Sequence, residues 1–485
     1  MRTTQILTLT LCSFIFYLQA SAQDKWDLRR CVEYAVNNNI SIKQADIDSR
    51  TTKLTYEQSK WNQFGTANIN TPIGLNFGRS VDRTTNIYEN TQAIFQSLNF
   101  SAAITLFNWF ALRRQVEANK YFYQAQVVNI DKIKNDVTLN VAAGYLQALL
   151  AREQVTLAKT KLGLTSQQLN NTQKLVDAGS VPELNAAELE VQFATDTAAV
   201  ITAQETYDIN VLQLKAILNL DAAAPFELDT PPVETIPVES IATLQPDEVY
   251  QIAVVAFPQQ KMNDLRISAA RKNVDFSRGL LYPTLSAYVG LGDNFANSLK
   301  RISVNQSIGA TGAYALDGLT NTQYPVYAPF ATTSYSSQPL GKAFNGYGTQ
   351  LDNNFGQQVG LQLNVPIFNG NISRTNFQKA KLNVITAQLT KDNDLLTLKQ
   401  NIYQSYYNAV ASLQKFDANK KAVAVAERSF DLSTKRYNIG MLNTIDYLTN
   451  QNNLFTARIN VLISQYDYVF RMKVLEYYKG LGIKL

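Results

Sequence analysis

The chain has 485 residues, enough for two or three soluble domains, yet only 17% of them are charged, 25 are Tyr, 23 are Phe and none is His. Without His the usual proton shuttle and the commonest metal ligand are missing. A net charge of +5 with no Lys/Arg-rich stripe argues against nucleic acid as a partner. No acidic pair stands in a cleft-like context. The sequence therefore offers no catalytic, cofactor-binding or metal-binding residues, no cofactor, and no support for an enzyme.

The N-terminus carries Arg2, an apolar stretch from Ile6 to Leu18, and then Ala20-Ser21-Ala22. This layout predicts a secretory signal peptide over residues 1–22, cleaved after Ala22. A membrane anchor is the alternative, but the stretch is short and interrupted by Thr8, Thr10 and Ser13. Cys12 would leave with the signal, so Cys31 stands alone in the mature chain and can form no internal disulfide. No later run of about twenty apolar residues follows, so any membrane must be crossed by strands.

Two stretches then alternate with period two. In "TANINTPIGLNFG" (66–78) Ala67, Ile69, Thr71, Ile73, Leu75 and Phe77 share one face; in "SLNFSAAITLF" (97–107) Leu98, Phe100, Ala102, Ile104 and Leu106 do. Such alternation over about ten residues predicts transmembrane strands or, equally in pattern, a soluble two-sheet sandwich. Phe64, Phe77, Trp109, Phe110, Tyr282 and Phe368 sit at strand ends, where an interfacial aromatic belt would lie.

No proline falls between Pro72 and Pro182 or after Pro366, which leaves room for helices over 111–177 and 372–438. Each would be a rod of roughly 100 Å at about 1.5 Å per residue. Gly179 suits the left-handed turn that ends the first rod, with Pro182 in the first turn of the next helix. Gly440 repeats the turn, followed by Asn443 or Thr444 as the cap. Between the halves, "AAAPFELDTPPVETIPVESIATLQP" (222–246) holds five of the thirteen prolines and predicts an extended connector. The second half offers strands "LSAYVGLG" (285–292) and "QVGLQLNVPIF" (358–368). Between them lies a Tyr-, Asn-, Gly- and Ser-rich segment over 293–356 that reads as a long surface loop.

At a shift of 261 residues the chain matches itself: Phe107-Asn108 with Phe368-Asn369, Tyr145 with Tyr406, Gly179 with Gly440, Leu214 with Leu475. Val141, Ala148, Val155, Leu162, Leu169 and Val176 recur every seven residues, and their partners Ile402, Ala409, Phe416, Val423, Phe430 and Tyr437 are apolar too. A sustained period of seven means helices packed coiled-coil fashion, and the match means an internal duplication. The organisation predicted is a signal peptide (1–22), a first repeat (23–220), a Pro-rich linker (221–246) and a second repeat (247–485). Each repeat holds a helix, two strands and a long helical hairpin, with tips near 179 and 440. Four strands cannot close a barrel, and open edges cannot sit in lipid. Three chains would supply twelve strands.

Together these features resemble the TolC family of outer-membrane efflux ducts, most specifically in "YNIGMLNTIDYLTNQNNLFTARI" and its first-copy partner "VDAGSVPELNAAELEVQFAT". The resemblance implies an α+β membrane protein. Long antiparallel coiled-coil helices would form a periplasmic α-barrel, and four strands per chain would contribute to a 12-stranded transmembrane β-barrel in a homotrimer. It implies a passive exit duct of a tripartite efflux or type I secretion system. Its partners would be a periplasmic adaptor, an inner-membrane transporter and outer-membrane lipid, and it would be gated at the helical tips. Asp446 matches the first of two pore aspartates in the family's second copy; Thr449 replaces the second, with Asn185 and Glu188 at the corresponding first-copy places. From the residues alone Asp446 reads first as a solvated first-turn aspartate favoured by the helix dipole. Tyr437 matches a tyrosine of the closing network, but the arginine is Leu442 here and its acidic partner is Asn185. Arg436 and Asp177, with Glu183 nearby, are the charged residues left to hold the tips shut. Gly179, Val181, Pro182, Gly440 and Leu442 mark the tips and adaptor-docking positions. A surface-anchored coiled-coil stalk or adhesin presenting 293–356 is the alternative, though a simple stalk gains nothing from duplicated hairpins.

Overall fold

The computed structural model describes residues 25–81, 88–229, 233, 236–298, 300–337 and 340–480. The expected signal peptide lies outside them. The chain is mainly helical with antiparallel strands, and it divides into two units. One holds residues 25–56, 117–271 and 381–480 of those described; the other holds 57–116 and 272–380.

The first unit is helical. Helices α1 (Leu28–Asn38) and α2 (Ile40–Trp61) precede a rod, α3 (Ala111–Asp177), which turns back as α4 (Glu183–Leu218). After α5 (Pro246–Ala256) and α6 (Pro258–Gly279), the second copy gives α9 (Ile372–Asn438) and α10 (Thr444–Tyr478). Rods α3 and α9 are both 67 residues long and begin and end 261 positions apart. Their heptad positions form the core: Val141, Ala148, Tyr145 and Leu149 meet Leu214, Leu218, Tyr466 and Val469, while Ile402 and Ala409 meet Met472 and Leu475. Among the described residues, no helix is long and apolar enough to cross a membrane.

Instead of bridging open space, the proline-rich connector is pinned along the helices. Trp26 N–H donates to Glu227 O (2.8 Å) and Asp229 N–H to Trp26 O (3.0 Å), a short parallel bridge. Tyr145 Oη and Arg152 Nη1 donate to Asp229 O (2.7 Å) and Leu228 O (3.0 Å). Lys215 Nζ gathers Ala222 O and Ala224 O at 2.9 and 2.6 Å. Prolines lack N–H groups, but their neighbours' carbonyls still need donors, and long cationic and aromatic side chains supply them.

A second polar cluster ties the two hairpins together. Asp196 is 1% exposed. It accepts from Thr165 Oγ1 (2.7 Å), Gln192 Nε2 (2.8 Å) and Lys161 Nζ (2.8 Å), all within α3 and α4. From α10, Gln451 Nε2 reaches Thr165 Oγ1 (3.3 Å) and Asn452 Nδ2 reaches Gln192 Oε1 (3.2 Å). A heptad seam of aliphatic residues tolerates slippage by one repeat; a buried ion pair with directional donors tolerates one register only.

The second unit is a sheet. Strand β1 (Thr66–Asn70) and strand β2 (Ile73–Val81) both pair with β3 (Tyr88–Phe107), so Thr71-Pro72 interrupts one strand position. Strand β3 pairs with β4 (Thr284–Ser298), and β4 with β7 (Gly356–Asn364), all antiparallel. Registers such as Ile69↔Phe100, Phe100↔Leu291 and Val289↔Val359 place Ile69, Phe100, Leu291, Val289, Val359 and Leu361 on one face. Asn68↔Ser101, Ser101↔Gly290 and Gly290↔Gln358 place polar and small residues on the other. Val359 is 83% exposed, Ile69 69% and Leu361 68%: over this part the apolar face is uncovered.

The segment 293–356 is not the loop expected. Strand β4 continues to Ser298, and β5 (Lys300–Leu316) and β6 (Gln323–Ser337) form a separate two-stranded hairpin. Short helices α7 (Leu340–Ala343) and α8 (Tyr347–Asn354) cover one end of the apolar sheet face. There Ala343, Tyr347 and Leu351 pack on Ile94 and Phe295, and Tyr347 Oη donates to Gln96 Oε1 (2.8 Å). Strand β3 is also longer than the stretch expected, starting at Tyr88. Both differences have one cause: polar strand residues are stabilised by a neighbour's backbone, and single-strand composition does not show the neighbour.

At the strand-to-helix junctions the duplication repeats in backbone angle. Gly370 and Asn371 have φ of 64° and 64°; 261 positions earlier Trp109 and Phe110 have φ of 55° and 62°. Gly and Asn adopt left-handed angles readily, whereas Trp and Phe do so at on the order of 1–3 kcal/mol each.

Two outcomes follow. Removing Asp196 with Ala strands the Lys161 ammonium, and thermal or guanidinium unfolding should show a loss of about 3 kcal/mol; joint replacement Lys161→Met with Asp196→Leu should recover most of it. Cys31 is fully buried, and burial, reinforced by the Asp27 carboxylate, pushes its thiol up to about 12. A maleimide near neutral pH should therefore leave the folded mature chain, without Cys12, unlabelled and label Cys31 completely in denaturant.

Candidate site at the hairpin tips

Both hairpins turn by one device. Rod α3 ends with Gly179 N–H donating to Val176 O (2.8 Å) and Ser180 N–H to Leu175 O (2.8 Å); α9 ends with Gly440 N–H to Tyr437 O (2.9 Å) and Met441 N–H to Arg436 O (2.8 Å). These crossed bonds are a Schellman motif, which needs a left-handed residue at the turn; Gly179 has φ 69° and Gly440 φ 75°. Open space surrounds both glycines. Their role is thus the backbone angle, not a close approach.

The helices that leave the tips start differently. Pro182 is the residue before the first turn of α4, not within it, and offers no side-chain cap. At α10, of the two caps expected, Asn443 takes the place. Its Oδ1 accepts from Asp446 N–H (2.7 Å), and its Nδ2 donates back to Asp446 Oδ2 (3.0 Å). Asp446 is solvent-exposed and closes a reciprocal box at a helix N-terminus, where its charge is also favoured by the dipole. Thr449 is exposed and its hydroxyl turns onto Ile445 O (2.8 Å). Asn185 and Glu188, on the first turns of α4, are half-buried. Val181 and Leu442 are half-buried at the two tips.

Behind the tips lies a compact core. Leu189 of α4 is buried against Tyr447 and Leu448 of α10, with Leu169, Phe430, Tyr437 and Leu442 around them. Tyr437 stacks on Tyr447 with centroids 4.6 Å apart and planes at 26°. The Tyr437 hydroxyl lies 3.5 Å from Thr172 Oγ1 and 3.4 Å from Thr444 Oγ1, so one phenol touches α3 and α10 together. Burial, with a smaller push from Tyr437, raises the Tyr447 phenol above its ordinary pKa, so it remains a neutral core residue.

Of the expected closing residues, Tyr437 therefore meets the other hairpin, whereas Arg436 and Asp177 do not. Arg436 Nη2 reaches back to Met441 O (3.5 Å), and Asp177 accepts from Gln173 of its own helix (3.1 Å). Each charge satisfies a nearby backbone or amide group because a local partner costs less side-chain entropy than a distant one. Tyr447, Leu189 and Thr172 were not singled out from the sequence. A signal existed: at the shift of 261, Tyr437 and Tyr447 correspond to Val176 and Ala186, an aromatic pair in one copy where the other has small aliphatics.

The architecture has counterparts among known proteins. The family model described as "Outer membrane efflux protein" matches residues 72–220 and 329–473, more than half of the chain and one block from each repeat. The outer membrane protein TolC of Escherichia coli K12 is 25% identical over 384 residues, covering 78% of this chain and 68% of that one. The alkaline protease secretion protein AprF of Pseudomonas aeruginosa is 19% identical over 347 residues, covering 71% and 61%. The chain thus spans about two thirds of the length of such relatives. Among solved structures, a crystal structure of CusC aligns over 95% of both chains with a TM-score of 0.71 at 14% identity. The Campylobacter jejuni CmeC outer membrane channel aligns over 94% and 86% with a TM-score of 0.67 at 16% identity, a likeness of fold. With its duplicated hairpins, two-faced sheet and matching blocks in both repeats, the chain belongs to the outer membrane efflux protein family, a family of channels and not of enzymes, and is a protein of the outer membrane.

Proposed function

We propose that three copies of the chain close one twelve-stranded barrel and one helical tunnel, making a passive exit duct. The observation that carries this reading is the sheet: one face is apolar and uncovered except at the end beneath α7 and α8, the other polar, and its outer strands β1/β2 and β7 each pair on one side only among the described residues. An apolar face suits lipid, a polar face suits a water-filled lumen, and lipid admits no open edge. The helices support assembly between copies. Leu184, Val191 and Ile201 on α4 and Val425 and Leu432 on α9 are exposed apolar residues, with Ile439 exposed just past the end of α9, as expected where neighbouring copies meet around a ring.

In this reading the duct is energised by partners: a periplasmic adaptor that docks at the tips around Gly179, Val181, Pro182, Gly440 and Leu442, and an inner-membrane transporter. Cargo is selected by those partners, as in efflux or type I secretion. The tips close through packing of Tyr437, Tyr447 and Leu189 instead of a salt bridge. Asp446, repeated three times around an axis, forms a carboxylate ring that favours cations, with Glu188 adding negative charge and Thr449 and Asn185 lining the constriction.

Planar-bilayer recording separates the ring from the cap. Asp446→Asn keeps an acceptor for Asn443 Nδ2 and removes only charge, so its thermal stability should stay within about 0.5 kcal/mol of wild type. Asn443→Ala should cost about 1 kcal/mol through the lost cap. Wild type should carry a small cation-selective current, and Asp446→Asn a current of reduced selectivity. Unchanged selectivity would reduce Asp446 to a capping residue. An inserted protein that passes no current, even with its adaptor added, would refute the duct.

A further inference from the structure

The strained pair Trp109-Phe110 opens onto a built cavity of about 380 Å³, within the range of ligand sites, roughly 300–1,000 Å³. Its rim is aromatic. Trp109 and Phe110 are 47% and 59% exposed, and the Trp109 ring lies 4.8 Å from that of Tyr282. Trp109 is fixed by its Nε1 donating to Pro283 O (3.0 Å). The remaining wall is charged: Arg114 from α3, and Arg278 and Asp275 from α6. Close approach of the two helices forms that wall, since a Cβ on Gly279 would lie 2.7 Å from Ala111 Cβ. In sequence the rim adjoins the apolar sheet face at both strands: Trp109 comes three residues after Leu106 of β3, and Tyr282 three residues before Leu285 of β4.

We infer that this cavity binds the headgroup of a zwitterionic phospholipid, one carrying phosphoethanolamine, an inference that rests on the membrane reading of the sheet. Two guanidiniums suit a phosphodiester. A carboxylate three residues from Arg278 on the same helix suits the ammonium, which the exposed indole and phenol also attract through their ring faces. The rim aromatics sit where acyl chains would leave the headgroup. The second copy holds Gly370-Asn371 at the same backbone angles, so the junction itself does not require rings. The first copy keeps two bulky residues in a disfavoured conformation, and lipid contact accounts for that choice.

The test is native mass spectrometry of the full mature protein released from vesicles of equimolar phosphatidylethanolamine and phosphatidylglycerol, with single-channel current measured on the same preparations. The expected result is one phosphatidylethanolamine retained per chain, at least tenfold over phosphatidylglycerol. Retention should fall at least tenfold in Arg278→Gln. It should fall equally in the double variant Trp109→Gly with Phe110→Asn, which copies the permissive residues of the second repeat and so keeps the backbone path. Asp275→Asn should bind both lipids alike. Equal retention of the two lipids by wild type, or undiminished retention in Arg278→Gln and the double variant, overturns the site. Displacement of the lipid by millimolar inorganic phosphate overturns the lipid assignment in favour of an anion site. Wild-type protein that carries current but retains no phosphatidylethanolamine refutes this site alone; wild-type protein that retains the lipid but carries no current refutes the channel reading and not the site.

Discussion

Backbone hydrogen bonding at the sheet edges is the constraint on which the account depends. Strand β7 pairs with β4 and strands β1 and β2 with β3, and among the described residues their outer rows of N–H and C=O groups have no further strand. In water such edges are hazards that charge, proline or short length can blunt. In lipid each unpaired group costs several kcal/mol, and closure is the only remedy. In the reading proposed above, the exposed Ile69, Val359 and Leu361 belong to the second situation. Copies of the same chain are the source of complementary edges in the proposed reading, in which a head-to-tail contact with a one-third rotation closes on itself.

The helical unit solves a different problem with the duplication. Two hairpins of matching length could slide by a heptad with little loss of apolar contact. Their relation is fixed by features that differ between the copies. Lys161 and Asp196 sit in the first hairpin, with Gln451 and Asn452 reaching in from the second. At the tips, Tyr437 and Tyr447 stand where the first copy has Val176 and Ala186. The same asymmetry appears at the strand-to-helix junctions, where Trp109-Phe110 and Gly370-Asn371 share one backbone conformation. Duplication supplied the frame, and departures from it carry the specific chemistry.

Much of the frame was readable from residues, because the governing signals are local. A heptad of Val141, Ala148 and Val155, the absence of proline over a hundred residues, and a glycine at each turn leave little freedom in where rods start and stop. What escaped reading depends on partners distant in sequence. The β5–β6 hairpin is rich in Tyr, Ser and Gly and interrupted by Pro325 and Pro329, so its composition looks like a loop until pairing such as Ile308↔Pro329 is seen. The linker looks unstructured until Tyr145, Arg152 and Lys215 are placed against its carbonyls. At the tip, Arg436 and Asp177 read in sequence as charges left to hold the tips shut; within one chain each has a local partner, Met441 O and Gln173. Asp446 was legible as a helix-start carboxylate, and the reciprocal bond with Asn443 accounts for that place; its membership of a ring comes from the family resemblance and belongs to the proposal.

The most direct test of the central claim is the mass of the protein extracted from the outer membrane in mild detergent, measured by native mass spectrometry. Closure by three copies predicts a single species of three mature chains, with its edge strands protected from hydrogen exchange as strongly as β3 and β4. A membrane-inserted monomer, or exchange at β1/β2 and β7 as fast as in an unpaired strand, would contradict it.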